Sequence, residues 1–294
     1  MLDEFKNAFQ RYNNSHVQLI LINVAIFLVM MLLWVPSEIF GFQTFYIIIH
    51  DQFSIPPAIS DFLSRPWTIF TYSFMHGGVL HILFNMLFLY WFGRLFIEYL
   101  GSDKLIAVYV LGALAGAVVY LLAYNTIPFY INNQPPGMVG ASAAVLAIVV
   151  ATATLLPDYT FFLLLIGPVR IKYIAAFVVI TSYIGSIGSN AGGNLAHLGG
   201  AFIGFVYTKQ LQSGVNWGGW VTLTLDWIKS LFRPKPKVKV SYRNQEYQEY
   251  RKASKPNQGI TQAEIDAILD KISAGGYESL TKDEKEKLFK ASKK

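Results

Sequence analysis

Apolar residues in this chain gather into six long runs, at about 17–36, 78–97, 105–125, 140–156, 172–187 and 194–211. A helix needs about 20 consecutive apolar residues to cross the hydrocarbon core of a bilayer. The pattern therefore predicts an all-α, polytopic membrane protein: a bundle of six transmembrane helices followed by a small helical cytosolic tail. The fourth and fifth runs are short, and a further apolar stretch, 161–166, lies between them. It is read as lying along the interface, with a seventh span as the alternative.

Beyond residue 212 the pattern changes twice. Residues 216–232 carry Trp217, Trp220 and Trp227 among apolar neighbours, which suits a helix lying at the headgroups. The stretch Arg233-Pro-Lys-Pro-Lys-Val-Lys resists helix through its prolines and suits anionic lipid. Further on, Ile265, Ile268, Leu269 and Ile272 recur at helical spacing, Gly275-Gly276 breaks the run, and Thr281 can cap a second helix over 282–289. The predicted organisation is a membrane domain over 1–212, an interfacial and basic linker over 213–240, and a tail with a short helical hairpin over 241–294.

Composition agrees with this reading. Of 294 residues, 53% are hydrophobic and 14% charged, against roughly a quarter charged in ordinary soluble domains. That argues against a soluble enzyme, a disordered chain or a nucleic-acid binder. The net charge of +6 is concentrated: from residue 209 onward there are 17 Lys/Arg and 10 Asp/Glu, against 7 and 8 before it. The N-terminal stretch is polar for about 16 residues, unlike a signal peptide.

Lys and Arg near span ends favour the cytoplasmic side. Lys6, Arg11, Arg94, Lys104, Arg170, Lys172 and the basic tail fall on one side of a six-span chain; the other side has only Arg65. Both termini are therefore expected in the cytoplasm.

Polar residues inside the runs each require an account, because the bilayer makes them costly. The second run opens with His76-Gly-Gly-Val-Leu-His81-Ile-Leu-Phe-Asn85, with His81 and Asn85 one helical turn apart. The fourth opens with Gly140-Ala-Ser142, the sixth with Asn194-Leu-Ala-His197. These three helices run in the same direction, and each polar residue lies within the first two turns. At about 1.5 Å rise per residue, a hydroxyl, two imidazoles and an amide share one shallow outer layer. Gly140, Ala144, Ala147 and Ala151 form a small-residue stripe on the fourth helix, and Gly200 and Gly204 form one on the sixth, which lets their backbones approach.

A serine hydroxyl becomes a nucleophile when a base takes its proton, and His197 is the candidate base for Ser142. The Ser142 N–H, His81 and the Asn85 amide are candidate oxyanion donors. No carboxylate lies in the outer half of any span, which favours a Ser–His dyad. Individually each residue also has a plainer role: Ser142 as helix cap, His81 and Asn85 as glue between helices, His76 at the wet interface. With no cysteine in the chain, thiolate chemistry is excluded; no cofactor and no metal are expected.

His76-x4-His81-x3-Asn85, Gly140-x-Ser142 and His197 with Gly200 and Gly204 together resemble a rhomboid intramembrane serine protease over about residues 60–210. The resemblance implies a water-filled cavity open to the outside, Ser142 as nucleophile, His197 as base, and His81 with Asn85 at the oxyanion hole. Glu98 resembles the acidic residue that braces the family's first loop. Three positions depart from the pattern: Ala143 where a glycine is usual, Leu146 where bacterial relatives often carry a tyrosine that stacks on the base, and Arg65-Pro-Trp67-Thr68 in the first loop. The function this implies is cleavage of transmembrane protein substrates near the outer leaflet of a plasma membrane, most simply a bacterial inner membrane. The alternatives are a noncatalytic rhomboid-like protein that binds or triages transmembrane clients, and a small proton-coupled transporter. The oligomeric state is not readable from the sequence.

Overall fold

The computed structural model describes residues 13–163, 166–232 and 260–292, and these fall into two compact units that divide after residue 233. Lys6, Arg11 and the basic stretch 233–239 lie outside the described residues.

Six helices occupy the six apolar runs: α1 Ser15–Phe40, α2 Val79–Leu100, α3 Ser102–Thr126, α4 Ser142–Leu155, α5 Ile171–Gly185 and α6 Ala191–Gln212. By length and composition, α1, α2 and α3 can cross a bilayer; α4 and α5 are apolar but shorter, at 14 and 15 residues. The shortness of α4 has a physical reason. Nearly every residue from Ala143 to Ala153 is buried, and a helix apolar on all sides belongs inside a bundle. Its length therefore answers to its neighbours and not to lipid. Faces of other helices show the converse: Leu32, Phe177, Ile180 and Phe202 are largely exposed, which suits contact with acyl chains.

The apolar stretch between α4 and α5 forms no helix among its described residues. Its residues 161–163 lie in β1 Thr160–Leu163, which pairs antiparallel with β2 Gly167–Arg170 in the register Thr160↔Arg170. Four-residue strands fall well short of the 9–11 residues a crossing strand needs. Asp158 anchors the base of the hairpin, 2.7 Å from the Lys172 ammonium and 3.2 Å from the Arg170 guanidinium. The lysine hydrogen bond, followed by its charge, holds that carboxyl below the ordinary range.

The core is built on α3, α4 and α6, where glycines replace side chains at the contacts. A Cβ placed on Gly112 would lie 2.5 Å from the Ala147 Cβ, and one on Gly116 2.6 Å from that of Ala143. One on Gly200 or Gly204 would overlap the carbonyl oxygen of Ala143 or Ala147. The α4 face that meets Gly200 and Gly204 thus runs through Ala143 and Ala147, where the expected stripe had Ala144 in place of Ala143. One polar chain in the bundle runs across elements. Asn23 of α1 donates to the Tyr109 hydroxyl at 3.2 Å, which donates to the Ser73 carbonyl at 2.9 Å.

The loop between α1 and α2 holds short helices at Gln43–Phe53, Ile59–Ser64 and Thr68–Thr71. After α6, the Tyr207 hydroxyl donates to Asn216 Oδ1 at 3.0 Å, and α7 Gly219–Phe232 follows, with Trp220 and Trp227 exposed.

The second unit pairs α8 Gln262–Gly275 with α9 Lys282–Ala291 around buried Ile268 and Leu280. Both helices begin with a capping box, Thr261 with Glu264 and Thr281 with Glu284. Ion pairs tie the two helices, Lys271 to Glu284 at 2.9 Å and Lys287 to Glu264 at 3.0 Å.

Candidate active site

Ser142 is the first residue of α4, and the segment leading to it is pinned from two directions. Met138 and Ile55 exchange a pair of 3.0 Å backbone hydrogen bonds, and the Gly140 N–H donates to the Tyr72 carbonyl at 3.0 Å. Tyr72 is itself tied to α3 through its hydroxyl, which donates to the Ala113 carbonyl at 2.7 Å. Gly140 was expected to open the helix; it lies two residues before it, with φ +142°, a region that side chains avoid. A Cβ there would lie 2.9 Å from His81 Cε1, 3.0 Å from its Nε2 and 3.3 Å from Ser142 Oγ. The bare glycine is what lets the imidazole of α2 approach the serine of α4.

His81 is oriented by its own chain. The Gly77 N–H donates to Nδ1 at 3.4 Å, so the neutral ring carries its proton on Nε2, the nitrogen beside Gly140. Asn85, 6% exposed, spends one amide N–H on the His81 carbonyl at 2.9 Å and keeps a second. The first-turn N–H groups of α4 have no intrahelical acceptors. Donors therefore gather around the Ser142 hydroxyl.

His197 lies in the second turn of α6. It lines a cavity of about 370 Å³ together with Ser142, His81 and Asn85, and Leu146, Val145 and Val149 form its apolar wall. Ser142, His81 and Asn190 also line an adjoining cavity of about 660 Å³, bordered by the loops after α3 and α5. Both loops, 127–141 and 186–190, are free of Asp, Glu, Lys and Arg. Among the described residues no carboxylate lines either cavity, and no group of three His, Cys, Asp or Glu side chains is placed to hold a metal.

His197 Nδ1 lies 3.1 Å from the Ser182 hydroxyl of α5. That leaves Nε2 for any proton transfer, although no hydrogen bond joins it to Ser142 among the described residues. Catalytic hydrogen bonds are often long in the absence of substrate. Ser182 was not singled out from the sequence. The available signal was a polar residue inside an apolar run.

Three other residues have surroundings that the sequence did not predict. Both ring nitrogens of His76 are buried, and the ring stands edge-to-face on His81 with centroids 5.2 Å apart. Glu98 is exposed on α2 and makes no hydrogen bond or ion pair to the first loop among the described residues. Trp67 instead holds that loop by donating to the Gln52 carbonyl at 2.7 Å, and Asn125 by donating to the Pro57 carbonyl at 2.8 Å. The methyl of Ala143 packs against Gly116 of α3, so its place is in a helix contact.

Comparison with known proteins bears on the same region. A family model described as a rhomboid domain matches residues 63–213, and one described as a family of unknown function (DUF6576) matches residues 250–294. The mitochondrial RHOMBOID-like protein 12 of Arabidopsis thaliana is 33% identical over 162 residues, which cover 51% of this chain and 48% of the relative. The chloroplastic Rhomboid-like protein 16 of the same plant is 28% identical over 162 residues, 51% and 50% respectively. Rhomboid protease GlpG of Enterobacter sp. (strain 638) is 43% identical over 53 residues, 18% of this chain and 19% of the relative. The chain thus spans about half the length of the plant relatives it matches. The rhomboid match covers half of the chain, and it falls on the helices that surround Ser142 and His197. This chain is a membrane protein of the rhomboid family.

Proposed function

We propose that the protein is an intramembrane serine endopeptidase that cleaves transmembrane protein substrates near the outer leaflet through a Ser142–His197 dyad. The observation that carries this reading is the single cavity lined by Ser142, His197, His81 and Asn85. Ser142 Oγ attacks the scissile carbonyl carbon while His197 Nε2 takes the hydroxyl proton. The carbonyl oxygen, now negative, accepts from the Ser142 N–H, His81 Nε2–H and the free N–H of Asn85. The tetrahedral intermediate collapses as His197 returns the proton to the leaving amine. Water then attacks the acyl-serine, with His197 again as base. A substrate helix must unwind locally, because its hydrogen-bonded carbonyls are otherwise shielded, so small or helix-breaking residues are expected at the cut site.

The proposed setting is a bacterial plasma membrane; the distribution of Lys and Arg supports placing both termini on its cytoplasmic side. The proposed partners are the substrates and the lipid bilayer, and the proposed division of the chain is the one at 212 and 240.

The test is purified full-length protein in liposomes with a single-span substrate. Wild type should cleave, and Ser142→Ala and His197→Ala should each be inactive. Equal cleavage by either variant would remove the mechanism. Wild type that neither cleaves nor reacts at Ser142 with a fluorophosphonate would leave the noncatalytic, client-binding reading.

A further inference from the structure

Helix α5 is sparsely buried, and Ser182 is its one buried hydroxyl. Of its side chains only Ile171, Ala175 and Ser182 are enclosed, while Tyr173, Phe177, Ile180 and Ile184 face outward. Ser182 is 3% exposed. A serine or threonine in an apolar helix ordinarily turns back to the carbonyl one turn earlier, and the adjacent Thr181 does so, at 2.9 Å from the Phe177 carbonyl. Ser182 makes no such bond; its partner is His197 Nδ1 at 3.1 Å.

The helix contact sets that distance. Asn194, one turn before His197, donates to the Gly185 carbonyl at 2.9 Å, and a Cβ on Gly185 would lie 2.6 Å from the Asn194 amide nitrogen. The C-terminal end of α5 and the first turns of α6 are thus locked together around the pair.

We propose that Ser182 is a positioning residue for His197: its hydroxyl oxygen accepts the Nδ1–H, which leaves the lone pair on Nε2, toward Ser142. This rests on the hydrolase reading above. An imidazole can take a proton at Nε2 only in the tautomer protonated at Nδ1, and an acceptor at Nδ1 selects that tautomer. When Nε2 gains its proton the ring becomes cationic, and the same oxygen accepts a charge-assisted bond. Among the described residues no carboxylate lines the cavity to do this, and Leu146 offers only an apolar surface.

The experiment measures kcat and KM separately for the full-length protein in liposomes, with Ser142→Ala run alongside. Ser182→Ala and Ser182→Val should lower kcat about 10- to 100-fold, the size of a hydrogen bond to a charged group, with KM unchanged. Ser182→Thr should stay within about 3-fold of wild type. Thr and Val have the same shape, so a packing or folding defect strikes both, whereas loss of the acceptor strikes only Val. The ¹⁵N spectrum of the His197 ring should show the Nδ1–H tautomer in wild type and Ser182→Thr and lose it in Ser182→Val. Wild-type kcat in Ser182→Val, or equal impairment in Thr and Val, overturns the role of Ser182 while an inactive Ser142→Ala keeps the hydrolase reading. Cleavage by Ser142→Ala at the wild-type rate, or no cleavage by wild type, overturns the hydrolase reading and this inference with it.

Discussion

Gly140 bears on the serine more directly than any other residue outside the polar set. Its φ of +142° and the closeness of the His81 ring mean that even a methyl group must displace either the imidazole or the backbone before Ser142. Gly140→Ala should therefore cost about 1–3 kcal/mol of stability and reduce cleavage more than stability, read from thermal unfolding beside a substrate assay. Ala143 predicts the opposite pattern. Its side chain packs on α3, so Ala143→Gly should lower the thermal midpoint by about 1 kcal/mol's worth and leave kcat near wild type. The polar residues at 81, 85, 142 and 197 were legible because each interrupts an apolar run near a helix start. Ser182 was not, because Thr181 and Ser182 are adjacent and chemically alike. Which of the two bonds to its own helix and which turns inward depends on the rotation of α5 against α6.

At the scale of elements, the glycine contacts between α4 and α6 leave no room for side chains. Gly200→Ala would drive a methyl into the Ala143 carbonyl, and Gly204→Ala into that of Ala147. Each should destabilise by about 3 kcal/mol and, by separating Ser142 from His197, abolish cleavage. The existence of a small-residue contact was readable from the sequence; its face on α4 was not, since every residue there is small or apolar. The tail shows the reverse case, because a capping box is written in local sequence. Glu264 and Glu284 are held down at about 2 from an ordinary 4.5, first by hydrogen bonds from the Thr261 and Thr281 N–H groups, then by Lys287 and Lys271. A depressed carboxylate stabilises the folded form above its unfolded value and loses that support as pH falls. The helix starts should thus be fully supported above pH 4.5 and weaken toward pH 2. Carboxyl ¹³C titration of the full chain should place both groups near 2; values near 4.5 would mean the caps do not form.

For the whole molecule, the proposed orientation rests on where the cations lie. Because the chain has no cysteine, single cysteines report sidedness cleanly. Asn132→Cys, in the loop after α3, should react with an impermeant maleimide from outside intact cells, and Ser213→Cys, just after α6, only after lysis. Labelling of Ser213→Cys from outside would invert the proposed topology. The six helices were legible as apolar runs, whereas the hairpin at 160–170 was not. Its residues are as apolar as a span, and only the pairing of Thr160 with Arg170 reveals the reversal.

The brevity of α4 has one more consequence. Fourteen residues reach about 21 Å, against a hydrocarbon thickness of about 30 Å, so under the proposed topology Ser142 sits in a recess below the headgroups. The depth of that recess belongs jointly to protein and lipid. Thinner bilayers should bring Ser142 closer to bulk water and thicker ones sink it, making acyl-chain length a control on turnover that acts with no change in the protein itself.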